Sequence, residues 1–99
     1  MKKIDLIMSV YNAADSADKP EISAAIDALN DTFRALIGFM PAHLLRGDKP
    51  DADIFDAARN ALHTLKRHAD ALNIDFPMPE DERAFRMYII DYGREVLFR

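Results

Sequence analysis

Apolar residues recur every three or four positions along most of this chain, and nowhere do they alternate with period two over a useful length. That spacing is helical. Ile4, Ile7, Met8, Tyr11 and Ala14 make the first stripe, with Asp5, Ser9 and Asn12 on the other side, and predict a helix over about 3–17. Asp18 followed three residues later by Glu21 reads as a capping box, with Pro20 tolerated in the first turn. The stripe behind it, Ile22, Ile26, Leu29, Phe33, Leu36, Ile37 and Met40, predicts a helix over 19–40, with Asp27, Asp31 and Arg34 pointing away. Pro41 should end or kink this helix. A short turn of helix is possible at 41–46, closed by Gly47.

Asp48-Lys49-Pro50-Asp51 repeats the earlier punctuation, but the apolar positions after the two prolines fall out of step. Two similar caps explain this better than an internal repeat. Ile54, Phe55, Ala58, Ala61, Leu62, Leu65, Ala69 and Leu72 form the broadest stripe and predict a helix over 51–72, with Asn73 as its C-cap. Phe76-Pro77-Met78-Pro79 reads as a stiff, extended connector. Glu80, Asp81 and Glu82 then suit the first turn of a helix over 79–98, whose main stripe is Phe85, Tyr88, Ile89, Tyr92 and Val96. Gly93 weakens it by ~1 kcal/mol. The expected fold is all-α, a small antiparallel bundle of four helices in a single domain over 1–99.

Composition narrows the function. A chain of 99 residues has room for one core. Acids outnumber bases 17 to 13, for a net charge of −4, so direct nucleic-acid binding is not expected. Many of the aspartates stand where helices begin, as good caps do. A sharper reading, that they mimic a nucleic-acid backbone, stays open. The absence of cysteine excludes disulfide scaffolds, zinc-thiolate sites and thiol nucleophiles. Met1-Lys2-Lys3 resembles the start of a signal peptide, but Asp5 interrupts the apolar run that such a segment requires. The uncharged stretch Ala35 to Leu45 is far short of the ~20 residues that span a bilayer. A cytoplasmic protein that does not enter membranes is the expectation.

Catalytic groups are sparse. Three serines, two threonines and three histidines form no elbow or triad motif, and three isolated glycines form no phosphate loop. Asp51, Asp53 and Asp56 do not make an EF-hand, because Phe55, Asp56 and Leu62 occupy its fifth, sixth and twelfth positions. His63 and His68 leave a helix on different faces, which does not suit a shared metal. Arg59-Asn60-Ala61-Leu62-His63 resembles the arginine–polar–histidine motif of the HEPN ribonucleases, with three intervening residues where that family has at least four. No catalytic residue, metal or cofactor is therefore expected, with one alternative.

That alternative is His63. It lies about 140° from the centre of its helix's apolar stripe, among Arg59, Lys66 and Arg67. The segment Ala61-Leu62-His63-Thr64-Leu65-Lys66 resembles the histidine phosphotransfer domain, in which the histidine carries a phosphoryl group and the lysine helps to hold it. The resemblance implies those roles for His63 and Lys66, in a four-helix bundle. That family has glycine after the lysine, where this chain has Arg67, and two helices after the histidine helix, where this chain has one.

The last helix has more apolar residues than one face needs. Met87, Ile90, Leu97 and Phe98 lie off the main stripe among Arg83, Arg86 and Arg94. Arginine, methionine and aromatic residues are enriched at interfaces. Either the first helix covers this face, or it binds another protein or a second copy of the chain as a homodimer. Asp27, Asp31, Arg59 and Arg67 make a second candidate surface. The favoured expectation is a small acidic regulatory protein that acts by protein–protein binding. Its profile is that of inhibitors, antitoxins, immunity proteins and phage anti-defence proteins.

Overall fold

The computed structural model describes residues 2–43 and 52–97, with the side chains of 36–43 and 52–54 left aside. Four helices follow one another: α1 (Lys3–Ala13), α2 (Lys19–His43), α3 (Ala52–Ala71) and α4 (Glu82–Leu97). Among the described residues there is no strand. One cluster of buried side chains draws on all four helices. The all-α bundle is thus as expected, and its departures lie at the helix ends.

α1 stops at Ala13 rather than near 17, because its end is capped from outside. Ala14 is extended and buried, and Lys19 reaches back to donate to the carbonyls of Tyr11 and Ala14 at 2.7 and 3.0 Å. These are two of the carbonyls a helix end leaves without partners. The same ammonium lies 4.7 Å from the centre of the Tyr11 ring. Residues 15–17 are exposed, so no burial would reward a longer helix. At the other end, the Ile4 N–H donates to Glu95 of α4 at 3.0 Å, so a carboxylate from the far end of the chain caps α1.

α2 runs through Pro41 to His43, three residues past the expected end at 40, so Pro41 does not end it. Proline deletes one backbone hydrogen bond, and so close to a helix end little structure depends on it. Positions 41–43 therefore belong to α2, while 44–46, Gly47, Asp48 and Asp51 lie outside the described residues. Ile22, Ala25, Leu29 and Thr32 are buried on one face. Thr32 satisfies its hydroxyl by donating to the Ala28 carbonyl at 2.9 Å. Glu21 does not serve a capping box; its carboxylate faces Arg67 and His68 of α3.

α3 buries Phe55, Ala58, Ala61, Leu62, Leu65 and Ala69 and makes its most extensive pairing with α2. Asn73 closes it in the left-handed region, φ 57°. The Ile74 N–H donates to the Ala69 carbonyl and the Asn73 N–H to that of Asp70, which is a Schellman motif. The connector then alternates: Ile74 half-buried, Asp75 exposed, Phe76 fully buried, Pro77 exposed, Met78 half-buried. Extended backbone sends successive side chains to opposite sides, and Phe76 ties the connector to the core.

α4 begins at Glu82, not Pro79. Asp81 is its N-cap, accepting from the Ala84 N–H at 2.8 Å. Phe85, Tyr88, Ile89, Tyr92 and Gly93 are buried. A methyl group added at Gly93 would overlap the Phe33 ring of α2. The Tyr92 hydroxyl donates to Asn30 of α2 at 2.7 Å. The Tyr88 hydroxyl is buried without a partner among the described residues. Burial raises its pKa, reinforced by the nearby Glu95 carboxylate and Tyr92.

Two stability outcomes follow from this packing. Gly93→Ala should destabilise the protein by about 1–3 kcal/mol, although alanine is the better helix former by ~1 kcal/mol. Guanidinium denaturation reads this, and a variant as stable as the parent would contradict the Phe33 contact. By the same assay Tyr92→Phe should cost about 0.5–1.5 kcal/mol, whereas Tyr88→Phe should be neutral or stabilising. The reverse order would contradict the Tyr92–Asn30 hydrogen bond.

Candidate interaction surface

α4 presents one face to the core and another to solvent. On the inner side it is fastened at several points. Glu95 caps α1, and Asp91 stands 4.0 Å from Lys3. Lys3 also lies 5.3 Å from the Tyr88 ring centre. Towards α3, the Phe55 and Phe85 rings meet edge to face with centroids 6.2 Å apart. Arg59 lies over Phe85 at 4.8 Å and Arg86 over Phe55 at 5.0 Å, so each helix sends an arginine onto the other's ring. Glu82 holds both guanidinium groups.

This clasp explains the shifted ionisation at its centre. The hydrogen bond from Arg59 holds the Glu82 carboxyl below its ordinary range, with Arg86 adding to the effect. The same bond raises Arg59.

The outer face carries the residues singled out for binding. Met87 is 48% exposed and Leu97 62%; among the described residues these are the exposed large hydrophobic side chains. Arg83 and Arg94 are exposed, Ile90 is half-buried, and Phe98 lies outside the described residues. Arg86 is exposed as well, but its guanidinium is committed to Glu82 and Phe55. α1 therefore does not cover this face. It binds α4 along the flank of Lys3, Tyr88, Asp91 and Glu95 instead. At 100° per residue, Arg83, Met87, Ile90, Arg94 and Leu97 fall within about 80° of one another.

The second candidate surface does not form as one patch. Asp27 and Asp31 are exposed on α2, where Asp31 pairs with Arg34 at 3.0 Å. Arg59 is drawn into the α3–α4 clasp and also pairs with Asp56 at 2.9 Å. Arg67 reaches Glu21 on α2. Both arginines are spent on holding helices together.

His63 is exposed, as its wheel position requires, and lines an open groove of about 430 Å³ between α3 and the start of α4. Arg59 and Lys66 flank it, while Glu80, Asp81 and Glu82 line the opposite wall. Lys66 pairs with Asp70 at 2.9 Å. The groove thus holds cations that already have carboxylate partners. His68 points elsewhere: its side chain is largely buried beside Glu21, with Nε2 3.6 Å from Oε2. Among the described residues no cluster of three or more metal-ligating side chains forms, and no helix is long and apolar enough to cross a membrane.

Two features of this region were beyond sequence reasoning. The crossed arginine–phenylalanine clasp has no local pattern, since 23 residues separate Arg59 from Glu82. Glu95 as the cap of α1 bridges 91 residues.

Glu82 supplies a pH test. A lowered carboxyl stabilises the fold at neutral pH, and that contribution is lost as pH falls below the ordinary value of 4.5. Stability curves of the parent and Glu82→Gln should therefore differ at pH 7 and converge in acid. Parallel curves would remove Glu82 from the clasp.

Comparison with known proteins gave no match: no family model fits the chain, and no curated protein or solved structure is significantly similar to it.

Proposed function

We propose that this protein acts by binding another protein through the outer face of α4, as a small acidic regulatory protein with no catalysis of its own. An inhibitor, antitoxin, immunity or phage anti-defence role, in a cytoplasmic setting, belongs to the same proposal. One observation carries it. The exposed large hydrophobic side chains among the described residues, Met87 and Leu97, lie on one arc of one helix. Scattered surface hydrophobics are ordinary, whereas apolar side chains aligned on one helix face among polar groups are of the kind that partners bury.

A second reading is phosphotransfer at His63 with Lys66. In its favour, His63 is exposed in an open groove with Lys66 beside it. Against it weigh the acidic wall formed by Glu80, Asp81 and Glu82 and the Lys66–Asp70 pair. A dianionic phosphoryl group would meet repulsion from that wall and find the lysine already paired.

Affinity capture from lysate of the source organism separates the two. The baits are the parent protein, Met87→Asp/Leu97→Asp and His63→Ala. Both α4 positions are exposed, so the double variant keeps the fold, which circular dichroism checks. The expected result is a stoichiometric partner retained by His63→Ala and lost by the α4 variant. A receiver-domain protein lost only with His63→Ala would establish the second reading instead.

A further inference from the structure

The outer face of α4 has a period as well as a composition. Arg83, Met87, Ile90, Arg94 and Leu97 are spaced by four, three, four and three residues. That is the spacing of a coiled-coil seam, in which one helix offers a row of side chains to the grooves of a second. At 1.5 Å per residue the seam is about 21 Å long. Hollows flank both ends. A groove of about 420 Å³, lined by Leu6, Pro77, Met78 and Met87 among others, lies beside the first part. A smaller one of about 160 Å³ lies by Leu97, bordered by Phe33 and Val96.

The charges on α4 identify what fits. Its three carboxylates are all engaged within the protein: Glu82 by Arg59 and Arg86, Asp91 by Lys3, and Glu95 by the Ile4 N–H. Of its three cations one is engaged. Arg86 has Glu82, but neither Arg83 nor Arg94 has a carboxylate partner among the described residues. A net acidic protein therefore carries, within its most apolar exposed strip, two arginines that have no carboxylate partner among the described residues. Burying that strip against an uncharged surface would strand both guanidinium groups, a costly outcome. The covering surface must bring carboxylates of its own.

Resting on the α4 reading above, we infer that the seam's occupant is an acidic amphipathic helix of a partner protein. Its apolar side chains, at three- and four-residue spacing, pack between Met87, Ile90 and Leu97. Its carboxylates pair with Arg83 and Arg94. A second copy of this chain meets the requirement poorly. Parallel pairing sets Arg83 on Arg83 and Arg94 on Arg94. Antiparallel pairing about Ile90 brings Arg94 level with Arg86 of the other copy, and the α4 carboxylates that would lie along such a seam are already engaged within each copy. An anionic membrane is also a poor match, since two arginines on a chain of net charge −4 fall short of a polybasic anchor.

The probe is a fluorescent 21-residue peptide, stapled on its far side to hold it helical, with leucines at heptad spacing flanked by glutamates. Its control replaces every glutamate with lysine. By fluorescence anisotropy the glutamate peptide should bind the parent protein saturably and the lysine peptide at least about tenfold more weakly. Arg83→Glu/Arg94→Glu should invert that preference. Met87→Asp/Leu97→Asp should weaken both peptides by about tenfold or more. Equal binding of the two peptides, or charge reversal without effect, would overturn the inference. So would no peptide binding, dimerisation lost with Met87→Asp/Leu97→Asp, or α4-dependent association with phosphatidylserine vesicles. A lysate partner lost with Met87→Asp/Leu97→Asp but kept by Arg83→Glu/Arg94→Glu would leave the α4 reading standing and refute the acidic helix alone.

Discussion

The Phe33 ring of α2 lies where a side chain at position 93 of α4 would begin, and this close approach fixes how α4 is rotated. Once Gly93 faces α2, helical geometry decides the rest. Tyr92 reaches Asn30, Ile89 and Phe85 enter the core, and Glu95 swings onto the start of α1. The opposite arc, with Met87 and Leu97, is left outside. A rotation of α4 that buried Met87 would force a side chain onto Phe33 or withdraw the cap from α1. The exposed seam is thus a consequence of the packing, set by contacts on the far side of the same helix.

The distribution of charge follows from the same rotation. Acids on α4 face its neighbours and are consumed by them. Glu82 closes the α3–α4 clasp, where Arg59 and Arg86 each lie over a phenylalanine ring of the other helix. Individually such exposed pairs contribute little. Their effect is one of allocation: after they form, Arg83 and Arg94 are the cations of α4 without a carboxylate partner among the described residues. A protein with a modest overall negative charge therefore shows a cationic, apolar strip to its surroundings. That contrast makes the outer face of α4 a stronger candidate for recognition than the groove at His63, whose charges are balanced locally.

Much of this was legible in the sequence, and the exceptions have physical causes. Periodicity located the four helices and the buried stripes on α3 and α4, because a 3.6-residue repeat needs no tertiary information. Asn73 announced its cap. The second face of α4 was visible as a surplus of apolar residues, but whether α1 covered it depended on where Glu95 and Lys3 attach. Helix ends proved harder. α1 ends early because Lys19 caps it, and α4 starts late because Asp81, not Pro79, receives its first N–H groups. Gly93 looked like a weak point in a helix and is a packing requirement. Phe76 looked like part of a linker and is core. In each case the deciding contact comes from elsewhere in the chain.

The most direct test is methyl and amide NMR of the labelled protein during titration with the glutamate-flanked helical peptide. Docking on the outer face of α4 should shift the Met87, Ile90 and Leu97 methyl groups and the Arg83 and Arg94 amides, with Ile7, Leu62 and Leu65 unmoved. Shifts gathered instead around Arg59, His63 and Lys66 would contradict it.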